Sequence, residues 1–149
     1  MEPIIRITRE PLDADAVAEL ERAVEDPSVG GMVTFQGVVR DHNKGKRIRY
    51  LEYEAYPEMA EREMANIAAE VTRRWSTDRV AIAHRVGRLE IGECSVVVVV
   101  ACAHLDRADA ACLTSQGDRL QRTRPRGCLP RLGAGTSVET RLDRRVHAR

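Results

Sequence analysis

The chain alternates short apolar stretches with polar breaks. The longest apolar run is Val96 to Ala103, which reads as a strand buried on both faces. Pro3 to Thr8 reads as a strand. Pro11, Asp13 and Asp15 then open a helix through Glu25, with Ala16, Val17, Leu20 and Val24 as its apolar stripe. Asp26-Pro27 ends that helix, and Gly30-Gly31 precedes a strand from Met32 to Val39. A polar loop, Asp41 to Lys46, leads into an alternating strand from Arg47 to Tyr56. Pro57 suits a helical first turn. After it, Ala60, Met64, Ile67, Ala68, Val71 and Trp75 recur at helical spacing. Arg79 to Val86 reads as a strand, Gly87 to Glu93 as a turn-rich segment, and Asp106 to Leu113 as helical. From Thr114 onward Gly and Pro interrupt every window and the leucines are too sparse to form a face. The pattern predicts an α+β domain over residues 1–113 and an atypical Arg-rich tail over 114–149.

Composition sharpens that division. The net charge of the 149 residues is +1. Leu105 to Arg149, however, holds ten Arg, four Asp and one Glu, a net +5, which leaves residues 1–104 at −4. Phe35, Tyr50, Tyr53, Tyr56 and Trp75 are the only aromatics, and none lies after Trp75. A basic tail without aromatics or a folded basic face argues against a nucleic-acid module. No apolar run approaches the roughly 20 residues that span a bilayer. Met1-Glu2-Pro3 lacks the basic start of a signal peptide, so a cytoplasmic location is expected. Cys94, Cys102, Cys112 and Cys128 have no Cys-x-x-Cys spacing. They read as reduced packing residues, and no metal site is expected.

Two places carry candidate chemistry. The loop after the second strand concentrates Arg40, Asp41, His42, Asn43, Lys44, Lys46 and Arg47. A strand end feeding several cations suits an anion, because guanidinium offers a planar fork to phosphate or carboxylate. The same residues also suit a solvated hairpin loop. His104 ends the valine-rich strand ahead of a helical segment, where free backbone N–H groups favour phosphate and His can move a proton near neutral pH. A helix cap or a packed histidine is the plainer alternative. His84, inside a strand, reads as structural. No Ser-His-Asp order and no phosphate-binding glycine loop is present.

Four segments, in order, resemble the large catalytic subunit of molybdopterin synthases. They are Gly31-Met32-Val33-Thr34-Phe35-Gln36-Gly37-Val38-Val39-Arg40-Asp41-His42-Asn43; Leu51 to Ala60; His84-Arg85-Val86-Gly87 with Leu89, Gly92 and Glu93; and Cys102-Ala103-His104. The resemblance spans roughly residues 5–112. It implies an α/β hammerhead fold with a mixed or antiparallel sheet and flanking helices. It also implies a homodimer, with a small ubiquitin-like sulfur-carrier subunit at either end, making a heterotetramer. The carrier's C-terminal Gly-Gly thiocarboxylate would enter the large subunit. Its sulfur would pass in two rounds to cyclic pyranopterin monophosphate, forming the molybdopterin dithiolene of the molybdenum cofactor, with no metal or cofactor needed. Arg40, His104, Val38 and Val39 match the family's substrate-binding positions, and His42, Asn43 and Lys44 extend the anion loop. A buried cationic pocket is the expected setting.

The family's two catalytic lysines have no match. Gln121, in Asp118-Arg119-Leu120-Gln121, stands at one of them, and Pro125 is followed by neither Trp nor Lys. Leu105 stands where a basic residue commonly follows the His. Lys44 and Lys46 are the only lysines in the chain. Two expectations follow for the tail: it is disordered, or it is read from a shifted frame. With suitable codons, a one-base shift across Pro130 to Ser137 encodes Pro-Val-Trp-Glu-Gln-Glu-His, which resembles the family's P-x-W-K-x-E block. A homologue that only binds the carrier or the pterin is the alternative function.

Overall fold

The structure is a computed structural model, and it describes residues 1–43, 46–104, 107, 108, 112 and 129–132. Its centre is a four-stranded mixed sheet in the order β1-β6-β8-β2. The strands are β1 (Ile4–Thr8), β6 (Arg79–Arg85), β8 (Cys94–Cys102) and β2 (Gly31–Val38). β1 runs parallel to β6, and the other pairs are antiparallel.

The run of valines makes sense once both faces of β8 are seen to be covered. Val98, Val100 and Cys102 join Val80 and Ile82 of β6 beneath α2 (Pro57–Trp75). Val97, Val99 and Ala101 join Ala81 and Ala83 beneath α1 (Ala14–Val24). The side-chain period of two thus sends alternate residues to two separate cores, so every position from Val97 to Cys102 is apolar. α2 contributes Met64, Ile67, Ala68 and Val71, the stripe read from its spacing. α1 contributes Val17, Leu20 and Val24.

Both helices have defined ends. Asp13 Oδ1 accepts a hydrogen bond from the Ala16 N–H at 3.0 Å, capping α1. Pro57 occupies the first turn of α2, and Ser76 closes it in the left-handed region at φ 54°.

A second, three-stranded antiparallel sheet has the order β7-β5-β9. It comprises β7 (Gly87–Glu90), β5 (Tyr50–Glu54) and β9 (Leu129–Leu132). Two features here differ from the sequence reading. Gly87 to Glu90 is a strand rather than part of a turn, because Leu89 is fully buried and pairs with Leu51. Leu129 to Leu132, inside the segment read as tail, pairs with β5 from Leu51↔Leu132 to Glu54↔Leu129. Within the polar loop, β3 (His42–Asn43) and β4 (Lys46–Arg47) form a short hairpin. The helical expectation for Asp106 to Leu113 is met at the described residues Arg107, Ala108 and Cys112. Mixed sheet and flanking helices together make the α+β architecture expected. Among the described residues no helix is long and apolar enough to cross a membrane.

Candidate functional site

Arg40 leaves the sheet through an irregular exit. The β2–β8 register is regular up to Gly37↔Val96, then jumps to Val38↔Cys94, so Ser95 is the extra residue of a bulge. The bulge leaves the Ser95 carbonyl outside the ladder, and His84 Nδ1 takes it up at 2.6 Å. Ser95 Oγ donates to the Gly37 carbonyl at 3.0 Å. Beyond the bulge the chain re-aims: Val38 is 58% exposed, Val39 is 3% exposed, and Arg40 is exposed.

Val39 is held on both sides by one turn. Its N–H donates to the Glu93 carbonyl at 2.9 Å, and its carbonyl accepts from the Gly92 N–H at 2.7 Å. Gly92 adopts φ +86°, where a side chain is strained. Val38 borders an open groove of about 410 Å³ that also touches Pro11, Leu12, Gln36, Arg85 and Cys94. Val39 is buried, and its backbone N–H and carbonyl are both bonded.

Asp41, His42 and Arg47 of the loop are exposed. His42 is exposed, and its Nδ1 lies 2.7 Å from Asp41 Oδ1, a contact that holds the Asp41 carboxyl below its usual range. Ile48 anchors the hairpin through its N–H to the Asp41 carbonyl at 2.7 Å, with its side chain buried. Asn43 pairs with Lys46 in the hairpin. Lys44 lies outside the described residues, as do Leu105 and Gln121.

His104 stands at the other end of the same ladder. Gly30 donates to the Cys102 carbonyl at 3.0 Å, and a Cβ on Gly30 would collide with the Ala103 carbonyl oxygen. Only glycine lets the two chains close there. The His104 carbonyl then accepts from the N–H groups of Arg107 and Ala108, both at 3.2 Å, which starts the helical segment. The His104 side chain is exposed.

Arg40 and His104 are therefore not brought together within one chain. The ladder from Gly31↔Cys102 to Val38↔Cys94 separates them, which at strand rise is roughly 25 Å. In the single chain both side chains are exposed and they leave the sheet at different places. Antiparallel pairing is the reason: a residue just after β2 and a residue just after β8 must leave from opposite ends.

Two residues have partners that the sequence does not announce. His84 is buried, meets the ring of Tyr53 edge-on at 5.2 Å between centroids, and is held neutral by burial. Arg85 is also mostly buried and pairs with Glu93 at 3.0 Å. The block containing both was visible as a motif, but its role depends on a bulge and a turn that no periodicity announces.

Comparison with known proteins gives a consistent answer. The family model described as MoaE protein matches residues 7–115. The molybdopterin synthase catalytic subunit of Halalkalibacterium halodurans is 52% identical over 87 residues, which is 58% of this chain and 54% of that protein. The chain thus spans about half the length of that relative. Molybdopterin synthase catalytic subunit 1 of Mycobacterium tuberculosis is 43% identical over 108 residues, covering 72% of this chain and 70% of that protein. The crystal structure of molybdopterin synthase from Staphylococcus aureus superposes with a TM-score of 0.77 at 30% identity, over 89% of this chain and 92% of that one. A complex of subunits 1 and 2 of molybdopterin-converting factor from Helicobacter pylori shares the fold at 20% identity and a TM-score of 0.61. On the family match and these identities, the chain belongs to the MoaE protein family.

Proposed function

We propose that this chain acts as the large subunit of a molybdopterin synthase in the cytoplasm. It receives a small ubiquitin-like carrier whose C-terminal Gly-Gly thiocarboxylate donates sulfur to cyclic pyranopterin monophosphate. Supporting this reading is one observation above others: Arg40, at the family's cationic position, follows a residue whose backbone is gripped on both sides. Holding the backbone beside a guanidinium lowers the ordering cost of binding a phosphate.

In this reading Arg40 binds the cyclic phosphate and offsets charge as sulfur adds and the phosphate ring opens. Guanidinium holds its protons too tightly to pass one on. His104 brings an imidazole, which can donate or accept a hydrogen bond at the substrate. Arg40 and His104 leave opposite ends of one ladder, so a site using both takes Arg40 from one copy and His104 of the partner subunit. That geometry favours a homodimer with two equivalent sites related by its two-fold axis.

A second reading has its own observation. Gln121 stands at a family lysine position, and Lys44 and Lys46 are the only lysines. An amide is neither an ammonium donor nor a nucleophilic amine. A chain that binds carrier and pterin without turnover fits that composition. Sulfur transfer from a thiocarboxylated carrier separates the two: product at high enzyme supports the first, and binding without product the second. Under both, Arg40→Ala weakens binding of cyclic pyranopterin monophosphate by about 10- to 100-fold, the worth of a charge-assisted hydrogen bond. Unchanged affinity by calorimetry would remove Arg40 from the site.

A further inference from the structure

The segment from His84 to Glu93 contains none of the expected substrate positions, yet its last turn bonds the backbone of Val39, the residue before Arg40. We propose that the Arg85–Glu93 ion pair is a positioning device for Arg40, acting through the turn that grips Val39. The proposal rests on the reading of Arg40 as the phosphate contact and adds the residues that aim it.

The chain of contacts starts in the central sheet. Arg85 ends β6, paired with Thr8 of β1, and the next N–H, of Val86, donates to the Thr8 carbonyl at 2.8 Å. Its side chain is 11% exposed, and Arg85 Nη1 meets Glu93 Oε1 at 3.0 Å. Arg85 Nε is buried and has no hydrogen-bond partner among the described residues. The guanidinium is thus already under-solvated, and Glu93 is the charge that compensates it.

Glu93 uses its other oxygen to close its own turn. Oε2 accepts the Glu90 N–H at 2.7 Å, while the Glu93 N–H donates to the Glu90 carbonyl at 3.1 Å. The main chain of the same turn supplies both partners of Val39, the Glu93 carbonyl and the Gly92 N–H. One carboxylate therefore ties the end of β6, the turn and the exit of β2 into a single unit. Arg85 and Glu93 both line the groove that Val38 borders.

A purely structural ion pair would stabilise the fold without regard to Arg40. A positioning pair loses its effect on binding once Arg40 is gone. The test is a double-mutant cycle on the full chain, with Arg40→Ala, Glu93→Gln and the double variant. Calorimetry with cyclic pyranopterin monophosphate and thermal melts are run on each. Glu93→Gln is expected to weaken binding about tenfold when Arg40 is present and hardly at all when it is absent. Its effect on Tm should be equal in both backgrounds. Arg85→Lys, which keeps the charge but loses the fork, should fall between wild type and Glu93→Gln.

Hydrogen exchange supplies a readout independent of ligand. The Val39 and Gly92 amides should exchange faster in Glu93→Gln, while those of Val98 and Val100 do not change. Equal weakening with and without Arg40, unchanged affinity in Glu93→Gln, or unchanged exchange at Val39 would each overturn the positioning role alone. Unchanged affinity in Arg40→Ala would overturn the phosphate reading of Arg40, and the positioning role with it.

Discussion

His84 serves the backbone rather than a substrate. Its Nδ1–H satisfies the Ser95 carbonyl that the bulge leaves unpaired, at 2.6 Å, and its ring is packed against Tyr53. Burial lowers its pKa below the ordinary 6.5, and the hydrogen bond to Ser95 only partly opposes this. The folded protein therefore resists a proton that the unfolded chain accepts. Stability from this group is intact above pH 6.5 and falls as pH drops from there toward the lowered folded value. Urea denaturation across pH 5.5 to 7.5 should show that decline in the wild type and a flatter profile in His84→Asn. Equal slopes in the two proteins would mean that His84 does not set this dependence. A lone histidine in a strand was legible as structural, but what it satisfies was not, because a bulge is a property of two strands in register.

At the scale of elements, the most regular segments were the most legible. The α2 stripe and the valine run of β8 each follow one period for long enough to override local noise. The strands that escaped notice are short and sit at the margins of the small sheet. β7 offers only four residues, Gly-Arg-Leu-Glu, with one buried apolar side chain. β9 reads Leu-Pro-Arg-Leu, and proline argues against a central strand. It is tolerated because, among the described residues, β9 pairs with β5 alone and so sits at the edge of its sheet. The end of α2 yields a prediction on the same scale. Ser76 is the only non-glycine residue with positive φ among those described. A left-handed backbone costs an L-residue roughly 1–2 kcal/mol, part of which glycine returns as unfolded-state entropy. Ser76→Gly should therefore stabilise the chain by about 0.5–1 kcal/mol in chemical denaturation. A loss of stability would show that the serine hydroxyl contributes more than its backbone costs.

For the molecule as a whole, the candidate site was half legible. Arg40 and His104 were recognisable by residue type and place in a motif. Their separation was not, because it depends on the antiparallel pairing of strands some 60 positions apart in sequence. That pairing turns a list of site residues into a statement about assembly: two distant residues serve one small substrate only if two copies meet. The most direct test mixes Arg40→Ala chains with His104→Ala chains, allows subunits to exchange, and counts binding sites for cyclic pyranopterin monophosphate by calorimetry. In a shared site, each mixed dimer keeps one pair of unmodified residues. The mixture should then recover about a quarter of the sites at wild-type affinity, although neither variant alone has any. A mixture with no sites of wild-type affinity, from variants that each dimerise and fold, would contradict a site built from two chains.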